Sequence, residues 1–358
     1  MKNYTDYVVD IKQLKYNIGN IRNLCGARKI CAIVKANSYG LGTMHICQNI
    51  SDLIDYFAVA TLQEALYIRQ FNSNTKILLL GVVAISDIDI CSKNNISISI
   101  GNYNHLREIL KQSKKDINIH LQVNTGLNRY GFRSIVEFKK AIKLIENSSN
   151  LVLEGVYSHF ATKQNDTNYI NRQYYKFVQF KNCVKQNGVI FHIANSFATI
   201  YEDRLRLDMV RVGMLMYGGI DGKIGNKLIL SIKSHIVDIN VIKKGDSVGY
   251  DRTFIAPRKM IIGVIPVGYA DGLDRRLSNK FYVLISGKKC RIIGNICMDV
   301  FMVDLSYIDA KIGDEVILLG SQMDEKISLK DYADVLNTSI YDVLLKFNYK
   351  RMNYIINK

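Results

Sequence analysis

The sequence contains no tryptophan, only 2 prolines, and no apolar run of the ~18 residues that a membrane-spanning helix requires. We therefore do not expect a membrane protein, and the 48% hydrophobic content is typical of a well-packed globular chain. The 7 cysteines form no CxxC pair and are odd in number, which indicates free thiols in a reducing cytosol. The opening stretch MKNYTDYVVDIKQ lacks the apolar core of a secretion signal, so we expect a cytoplasmic protein.

The sequence also lacks the residue patterns of a metal site and of a nucleic-acid-binding surface. The 6 histidines and 7 cysteines show no metal-ligand spacing, so we expect no bound metal. The formal net charge of +16 raises the question of a nucleic-acid partner. The lysines are scattered, however, and no arginine-rich or aromatic-interleaved stripe is present, so we do not expect nucleic-acid binding.

The first part of the chain contains a regular series of short apolar runs rich in β-branched residues. They cover 29–36, 55–61, 76–83, 95–102, 117–124, 151–160, 189–196 and 207–218. Segments with helical periodicity, such as 61–71, 103–112 and 134–147, lie between them. This alternation predicts a (β/α)8 TIM-type barrel over residues 1–225. A doubly wound sheet is the structural alternative, but its G-x-G-x-x-G turn is missing.

The alternation stops at about residue 225, and period-two apolar patterns separated by glycine turns follow. They predict a mostly antiparallel β domain over residues 226–358, with a helical stretch over 328–347 near its end. A chain of 358 residues is long enough for a large barrel and a second domain.

Polar residues and a glycine lie at or just after the ends of several predicted barrel strands. They are Lys35, Arg129, His159, Asn195, Ser196, Arg211 and Gly213. Considered alone, His159 could be a hydrogen-bonded core histidine and Ser196 a helix cap. A buried Arg211 is harder to explain in this way, because a buried guanidinium needs partners for its charge and its hydrogen bonds. Barrel enzymes carry their chemistry at this end of the strands, so the convergence of the whole set indicates a site.

These strand-end residues suggest a particular kind of cofactor. Backbone N–H groups near Ser196 and Gly213, after the last two strands, offer a place for a phosphate. Lys35, after the first strand, can form a Schiff base with a carbonyl compound, and burial should depress its pKa. A phosphate cradle and a reactive lysine on one barrel rim suggest pyridoxal 5'-phosphate as cofactor.

A family resemblance follows from motifs spread over the whole chain. They are VKANSYGLG (34–42), NTGLNRYGFR (124–133), SHFA (158–161), ANS (194–196), MVRVGMLMYG (209–218), VGYDRTF (248–254), PVGYADG (266–272), GNICMD (294–299) and SIYD (339–342). With these motifs in this order, the chain resembles the bacterial alanine racemases, which are fold-type III pyridoxal-phosphate enzymes. The resemblance implies interconversion of L-alanine and D-alanine and a supply of D-alanine for peptidoglycan.

The resemblance also implies a two-base mechanism. Lys35 would hold the cofactor covalently and act as the base on the D-alanine face, with Tyr250 as the base on the L-alanine face. Arg211 would hydrogen-bond the pyridine nitrogen, and His159 would lie between Arg211 and Tyr250. Because arginine does not give up its proton at ordinary pH, the pyridine nitrogen would stay unprotonated.

The remaining implied contacts involve the cofactor phosphate and the substrate carboxylate. The residues assigned to cofactor binding beside Lys35, Arg211 and His159 are Tyr39, Asn195, Ser196, Gly213 and Tyr341. Arg129 would face the cofactor's phenolic oxygen and the substrate carboxylate, Met298 would donate its backbone N–H to that carboxylate, and Tyr269 would line the entrance. In the family, Tyr250, Tyr269 and Met298 reach the site from the other subunit, so a homodimer with shared active sites is implied.

Some positions depart from the family pattern. Gln122 stands where many members carry a lysine that becomes carbamylated and steadies the equivalent of Arg129, and Asn124 replaces the usual aspartate. Tyr341 matches alanine-specific members, which favours alanine, although a serine or broad-specificity racemase remains the alternative.

Two other classes carry the same kind of barrel. A fold-type III decarboxylase would have a glycine-triplet phosphate loop and an E-P-G-x segment, both of which are missing here. A non-catalytic pyridoxal-phosphate-binding barrel would lack the second domain that carries Tyr250. Product analysis separates the three, because a decarboxylase gives an amine, a carrier gives nothing and a racemase gives the enantiomer.

Overall fold

The computed structural model divides into two compact units. It describes residues 4–113, 115–162, 166–220, 223–347 and 349–358. The barrel unit comprises Lys15–Ser38 and Gly42–Asn226. The β unit comprises the described residues up to Leu14, Tyr39–Leu41 and Lys227–Lys358.

The barrel unit is built on an 8-stranded parallel sheet in which the first seven strands pair in chain order. The strands are Lys29–Ile33, Tyr56–Val59, Lys76–Leu79, Ile96–Ile100, Ile117–Gln122, Leu151–Tyr157, Ile190–His192 and Met209–Val212. The last strand pairs with the first, where Arg211 lies opposite Cys31. Backbone hydrogen bonds from Asp208 N to Phe191 O (3.1 Å) and from Arg211 N to Ala194 O (3.0 Å) join the seventh strand to the eighth. The predicted TIM-type barrel is confirmed.

Helices separate most of these strands, and local capping explains where several begin. Ile11–Cys25 precedes the first of these strands, and the helices between strands are Thr43–Ile50, Leu62–Arg69, Ile88–Lys93, Tyr103–Gln112, Ile135–Glu146, Thr167–Lys181 and Ser196–Tyr201. Thr61 and Glu64 form a reciprocal capping box at the start of Leu62–Arg69, and the Asn102 side chain accepts from His105 N (2.8 Å) at the next predicted helix. The three helices predicted from periodicity are confirmed.

The β unit contains a large, mostly antiparallel sheet. Its strands, in spatial order, are Asp238–Ile242, Met260–Ile265, Phe301–Asp304, Lys288–Ile293, Tyr282–Ile285, Glu315–Gln322, Leu230–His235, Asp6–Asp10 and Asn353–Asn357. Glu325–Ile327 pairs with Glu315–Gln322, and Ser247–Val248 pairs with Phe254–Ile255. The helical stretch near the end forms two helices, Leu329–Leu336 and Ile340–Lys346, separated at Asn337, which has a positive φ of 50°.

The first strand, Asp6–Asp10, belongs to this sheet, although the sequence boundary at residue 225 places it with the barrel. It pairs antiparallel with Leu230–His235 and parallel with Asn353–Asn357. Its side chains alternate between buried and half-buried, whereas the barrel strand Tyr56–Val59 is buried throughout. This period-two burial is typical of a sheet with one covered face, which explains its place in the β unit.

Two global properties complete the fold. No helix in the described ranges is both long and apolar enough to cross a membrane. The cysteines are free thiols, and Cys25, Cys31, Cys47, Cys91 and Cys290 are buried. Burial raises the pKa of the Cys31 thiol to about 12, which disfavours thiolate chemistry there.

Candidate active site

Lys35 follows the first barrel strand, Lys29–Ile33, and begins an unusual turn. The next four residues, 36–39, all have positive φ values between 51° and 59°. None of them is glycine, and each costs about 1–2 kcal/mol in this left-handed conformation. Strain of this kind persists only where the surrounding contacts over-determine the backbone, and it concentrates at functional sites.

Hydrogen bonds hold this turn within the barrel unit. Ala36 N donates to Glu64 Oε1 (2.7 Å), and Thr43 N donates to Asn37 Oδ1 (2.9 Å). The hydroxyls of Ser38 and Thr43 lie 3.1 Å apart, and both residues are buried. The capping glutamate of the helix Leu62–Arg69 therefore also fixes the residue next to Lys35.

Burial lowers the pKa of the Lys35 amine, and the positive charge of Arg129 lowers it further, while Glu64 acts in the opposite direction. The net lowering increases the fraction of neutral amine, which is the form that attacks a carbonyl or accepts a proton. The expected depression of this pKa is confirmed.

Arg211 is the most enclosed charged group of the site, with 3% of its surface exposed. Its Nη1 donates to His192 Nδ1 (2.8 Å) and to the His192 carbonyl (3.2 Å). Its Nη2 donates to the Ser158 carbonyl (2.6 Å) and contacts His159 Nδ1 (3.2 Å) and the Ile193 carbonyl (3.4 Å). Within the described residues nothing accepts from Nε, so one guanidinium donor is left for a ligand.

His159 lies beside this guanidinium as a neutral imidazole. Burial and the charges of Arg211, Arg129 and Lys35 lower the pKa of His159 to about 3. Since arginine only donates, the Nδ1 of His159 accepts from Arg211 and carries no proton. Gln173 Nε2 donates to the His159 carbonyl (3.2 Å) and positions its backbone.

Ser196 and Gly213 meet at the ends of the last two barrel strands. Ser196 Oγ accepts from Gly213 N (3.1 Å) and from Leu215 N (3.2 Å), and Ser196 is buried. Because this oxygen accepts both bonds, the hydroxyl proton remains available for an anion. The Asn195 side chain instead caps the helix Ser196–Tyr201 by accepting from Ala198 N (3.0 Å).

Gln122, the last residue of the fifth strand, and Arg129, in the loop after it, line one cavity of about 220 Å³. Gln122 is buried and Arg129 is exposed. The Asn124 side-chain oxygen accepts from Gly126 N (3.0 Å) and Asn128 N (3.2 Å), which orders the loop. The Asn124 amide therefore satisfies these two loop N–H groups.

The β unit carries the other predicted site residues. The Tyr39 and Tyr341 rings lie 5.9 Å apart, and burial raises the pKa of both phenols. Tyr250, Tyr269 and Met298 are 69%, 43% and 52% exposed, respectively.

Backbone contacts bring two of these exposed residues together. Tyr269 N donates to Cys297 O, and Ala270 N donates to Met298 O, both over 3.1 Å. A Cβ at Gly268 would lie 2.0 Å from the Met298 carbonyl oxygen, so only glycine allows this approach.

Several of the predicted site residues lie close together within the barrel unit. In the barrel unit, Lys35, Arg129, His159 and Arg211 are close enough to shift the pKa of His159. No cluster of three or more His, Cys, Asp or Glu that could hold a metal occurs among the described residues.

Comparison with known proteins gives a consistent result along the whole chain. The model of the alanine racemase N-terminal domain matches residues 9–221, and that of the C-terminal domain matches residues 229–355. Alanine racemase 1 of Caldanaerobacter subterraneus subsp. tengcongensis is 32% identical over 355 residues, which is 95% of this chain and 92% of that protein. The alanine racemase of Clostridium tetani is 35% identical over 351 residues, 94% of this chain and 91% of that protein.

The chain belongs to the alanine racemase family. Solved structures of alanine racemases agree with its fold. The structure from E. faecalis has a TM-score of 0.93 at 28% identity and covers 99% of this chain and 98% of its own. The structure from Bacillus anthracis with bound L-Ala-P has a TM-score of 0.88 at 30% identity, with 98% and 94% covered. The predicted barrel with its β domain, and the prediction of an isomerase of the alanine racemase family, are confirmed.

His192 contacts Arg211 directly and was not predicted as a site residue. His192 lies on the seventh barrel strand, fully buried, and its ring stacks on that of Tyr157 at 4.9 Å between centroids. The available signal was a histidine inside an otherwise apolar run, FHIANS, which has a common structural explanation as a satisfied core residue.

Proposed function

We propose that this protein interconverts L-alanine and D-alanine, with pyridoxal 5'-phosphate as cofactor and with Lys35 and Tyr250 as the two bases. The observation that carries the cofactor assignment is the Arg211 guanidinium, whose donors are all engaged by the described residues except Nε. A buried donor of this kind suits a ring nitrogen that is left unprotonated, because arginine keeps its own proton.

The residues present fit this cofactor at two further points. The Lys35 amine, with its lowered pKa, would attach the aldehyde carbon covalently. The Ser196 hydroxyl proton and the ends of the last two strands would hold the phosphate, with Gly213. We assign Tyr39 and Tyr341 as the remaining phosphate contacts, and Asn195 acts on cofactor binding through the helix that it caps.

When bound, pyridoxal phosphate supplies an electron sink for the electron pair left by breaking the substrate Cα–H bond. The protein must then move a proton on each face of a flat carbon. Lys35 would remove or return the proton on the D-alanine face, and Tyr250 would do so on the L-alanine face. Arg129 and the Met298 backbone N–H would hold the substrate carboxylate, and Tyr269 would line the entrance.

Tyr250, Tyr269 and Met298 would reach the site of a partner subunit in a homodimer. Their exposure of 43–69% supports this, since large side chains left open on one chain are available for a second copy. The free thiols favour a reducing, cytoplasmic compartment, and the D-alanine formed would serve peptidoglycan synthesis.

Chiral product analysis tests the assignment. Purified protein is incubated separately with L-alanine and with L-serine, and the products are resolved by chiral chromatography. The proposal predicts D-alanine and a visible absorbance band of bound cofactor. Faster conversion of L-serine would instead identify a serine or broad-specificity racemase, and an amine product would identify a decarboxylase.

A further inference from the structure

A line of buried polar side chains extends from Arg211 through the inside of the barrel. Arg211 Nη1 lies 2.8 Å from His192 Nδ1, and His192 Nε2 lies 2.9 Å from His120 Nδ1. His120 Nε2 lies 3.1 Å from Glu154 Oε2. Both histidines are fully buried, and the Glu154 side chain is 9% exposed. Two imidazoles therefore connect a buried guanidinium to a carboxylate.

The donors in this chain have a fixed direction. A guanidinium can only donate, so His192 Nδ1 accepts and its proton is on Nε2. That proton is donated to His120 Nδ1, which leaves the His120 proton on Nε2, facing the Glu154 carboxylate. In every hydrogen bond of this chain, the donor is the group nearer Arg211 and the acceptor is the group nearer Glu154. Both rings are neutral.

The charge states around the chain agree with this direction. Burial lowers the pKa of His120 and of His192, which keeps both imidazoles neutral. Burial opposes ionisation of Glu154, but hydrogen bonds from His120, Lys76 and Ser97 outweigh it and hold the pKa of that carboxyl well below its usual range. Glu154, the last group in this chain of hydrogen bonds, is therefore a charged carboxylate.

Arg211 needs such a partner because a buried charge is costly unless it is compensated. It forms no ion pair with any carboxylate of the described residues, and its direct acceptors are carbonyl oxygens and imidazole nitrogens. Hydrogen bonds in a connected chain polarise one another, so the Glu154 charge acts on Arg211 through the two rings.

The surrounding residues hold the rings in these orientations. A Cβ at residue 155 would lie 2.4 Å from His120 Nδ1, so Gly155 leaves the space that this ring occupies. The Tyr56 ring packs edge-on against His120 at 6.1 Å, and the Arg211 guanidinium lies 5.2 Å from the Tyr157 ring on which His192 stacks. These packing contacts hold the chain of hydrogen bonds in place within the barrel core.

Glu154 is the last member of this chain of hydrogen bonds. It lies at the end of the barrel opposite to the candidate active site. It lines an open cavity of about 580 Å³ together with Lys29 and Lys76, which are the first residues of their strands. Lys76 Nζ and Tyr56 Oη donate to Oε1 of Glu154 (2.5 and 2.9 Å), and Ser97 Oγ donates to Oε2 (2.5 Å). Only Lys76 among these partners is charged, and its side chain is 53% exposed.

We propose that Glu154 is a positioning residue for Arg211, acting through His120 and His192 along this directed chain of hydrogen bonds. The inference rests on the proposed function, in which Arg211 Nε holds the ring nitrogen of the cofactor. By compensating the guanidinium charge from a distance, Glu154 weakens the donation from Arg211 to that nitrogen and fixes the plane of the guanidinium.

The first test uses the unmodified holoenzyme. Long-range proton–nitrogen spectra of protein labelled with 15N-histidine report the tautomer of each ring. We expect His120 and His192 to be neutral, with the proton on Nε2 in both, throughout the neutral pH range. A proton on Nδ1 of either ring, or a charged ring, overturns the directed chain. This test does not depend on any variant folding.

The second test compares Glu154→Gln with Tyr56→Phe. The first change removes the charge at the end of the chain with little change in size. The second removes a neutral hydrogen bond to the other oxygen of the same carboxylate, and it keeps the ring packed on His120. Both are loaded with cofactor labelled with 15N at the pyridine nitrogen.

In Glu154→Gln we expect the pyridine nitrogen signal to move upfield, toward stronger hydrogen bonding, while it stays at the wild-type position in Tyr56→Phe. We also expect kcat to fall about tenfold in Glu154→Gln with the KM for alanine nearly unchanged, the size typical of losing a group that orients a functional histidine. An unchanged nitrogen signal in Glu154→Gln, or equal shifts in both variants, overturns the proposal. Wild-type protein that binds no cofactor would instead overturn the proposed function.

Discussion

Removing the Ser196 hydroxyl tests the phosphate site most directly. In Ser196→Ala, the buried N–H groups of Gly213 and Leu215 both lose their acceptor. An unsatisfied buried donor costs about 1–3 kcal/mol, and water entering an open site offsets part of that for two donors. We therefore expect the free energy of unfolding to fall by about 2–3 kcal/mol.

The same change should weaken cofactor binding separately. If Ser196 donates to the cofactor phosphate, Ser196→Ala also removes a hydrogen bond to a charged group, worth about 1.5–3 kcal/mol. That corresponds to a dissociation constant about 10- to 100-fold higher. Titration of the cofactor-free protein with pyridoxal phosphate, followed by visible absorbance, measures this constant, and urea unfolding measures the loss of stability.

Thr199→Val provides the matched control in the same short helix. Thr199 is fully buried and donates from Oγ1 to the Asn195 carbonyl (2.8 Å), so its loss costs about 1 kcal/mol of stability. It makes no contact with Gly213 or Leu215 through that hydroxyl, and cofactor affinity should stay at the wild-type value. If Ser196→Ala binds the cofactor as tightly as Thr199→Val does, the reasoning about the phosphate is refuted.

Three further predictions concern the reacting groups. Lys35→Ala should lose the visible absorbance of covalently held cofactor, and a band in that variant that borohydride traps onto the protein would show that another lysine is used. Co-expressed Lys35→Ala and Tyr250→Phe chains should recover about a quarter of wild-type activity, because about half of the dimers are mixed and each has one intact site of two. Verified mixed dimers with no activity would rule out shared sites. Gln122→Lys should hold Arg129 more firmly and change the KM for alanine, and unchanged kinetics in a variant with confirmed carbamylation would show that the position is inert.

Local patterns were sufficient to predict the barrel, because its first seven strands pair in chain order and the eighth pairs with the first. They were insufficient for Asp6–Asp10, whose partners Leu230–His235 and Asn353–Asn357 are both distant from it in the sequence. The apolar run over 207–218 also continues past the strand Met209–Val212, since the residues after it are buried in a turn rather than paired. Hydrophobicity reports burial and does not distinguish a strand from a buried turn.

The site was predictable only in part. The family motifs predicted Lys35 and Arg211, as did the tendency of barrel enzymes to carry their chemistry at the ends of the strands. The structure places both residues at one end of the barrel strands. The left-handed turn over residues 36–39 has no sequence signal, because no glycine is present to indicate positive φ. His120 and His192 come from different strands, and their contact depends on the closed barrel, which no single stretch of sequence describes.

The pairing of Asp6–Asp10 with Asn353–Asn357 has a consequence for synthesis on the ribosome. Asp6–Asp10 is made about 340 residues before Asn353–Asn357, which is one of its two partners. At about 5–20 residues per second, it waits roughly 20–70 s with exposed pairing edges on a nascent chain. A chaperone that shields unpaired edges would therefore matter most before Asn353–Asn357 is made, and a fragment meant to yield the barrel alone would be better begun near residue 15 than before Asp6–Asp10.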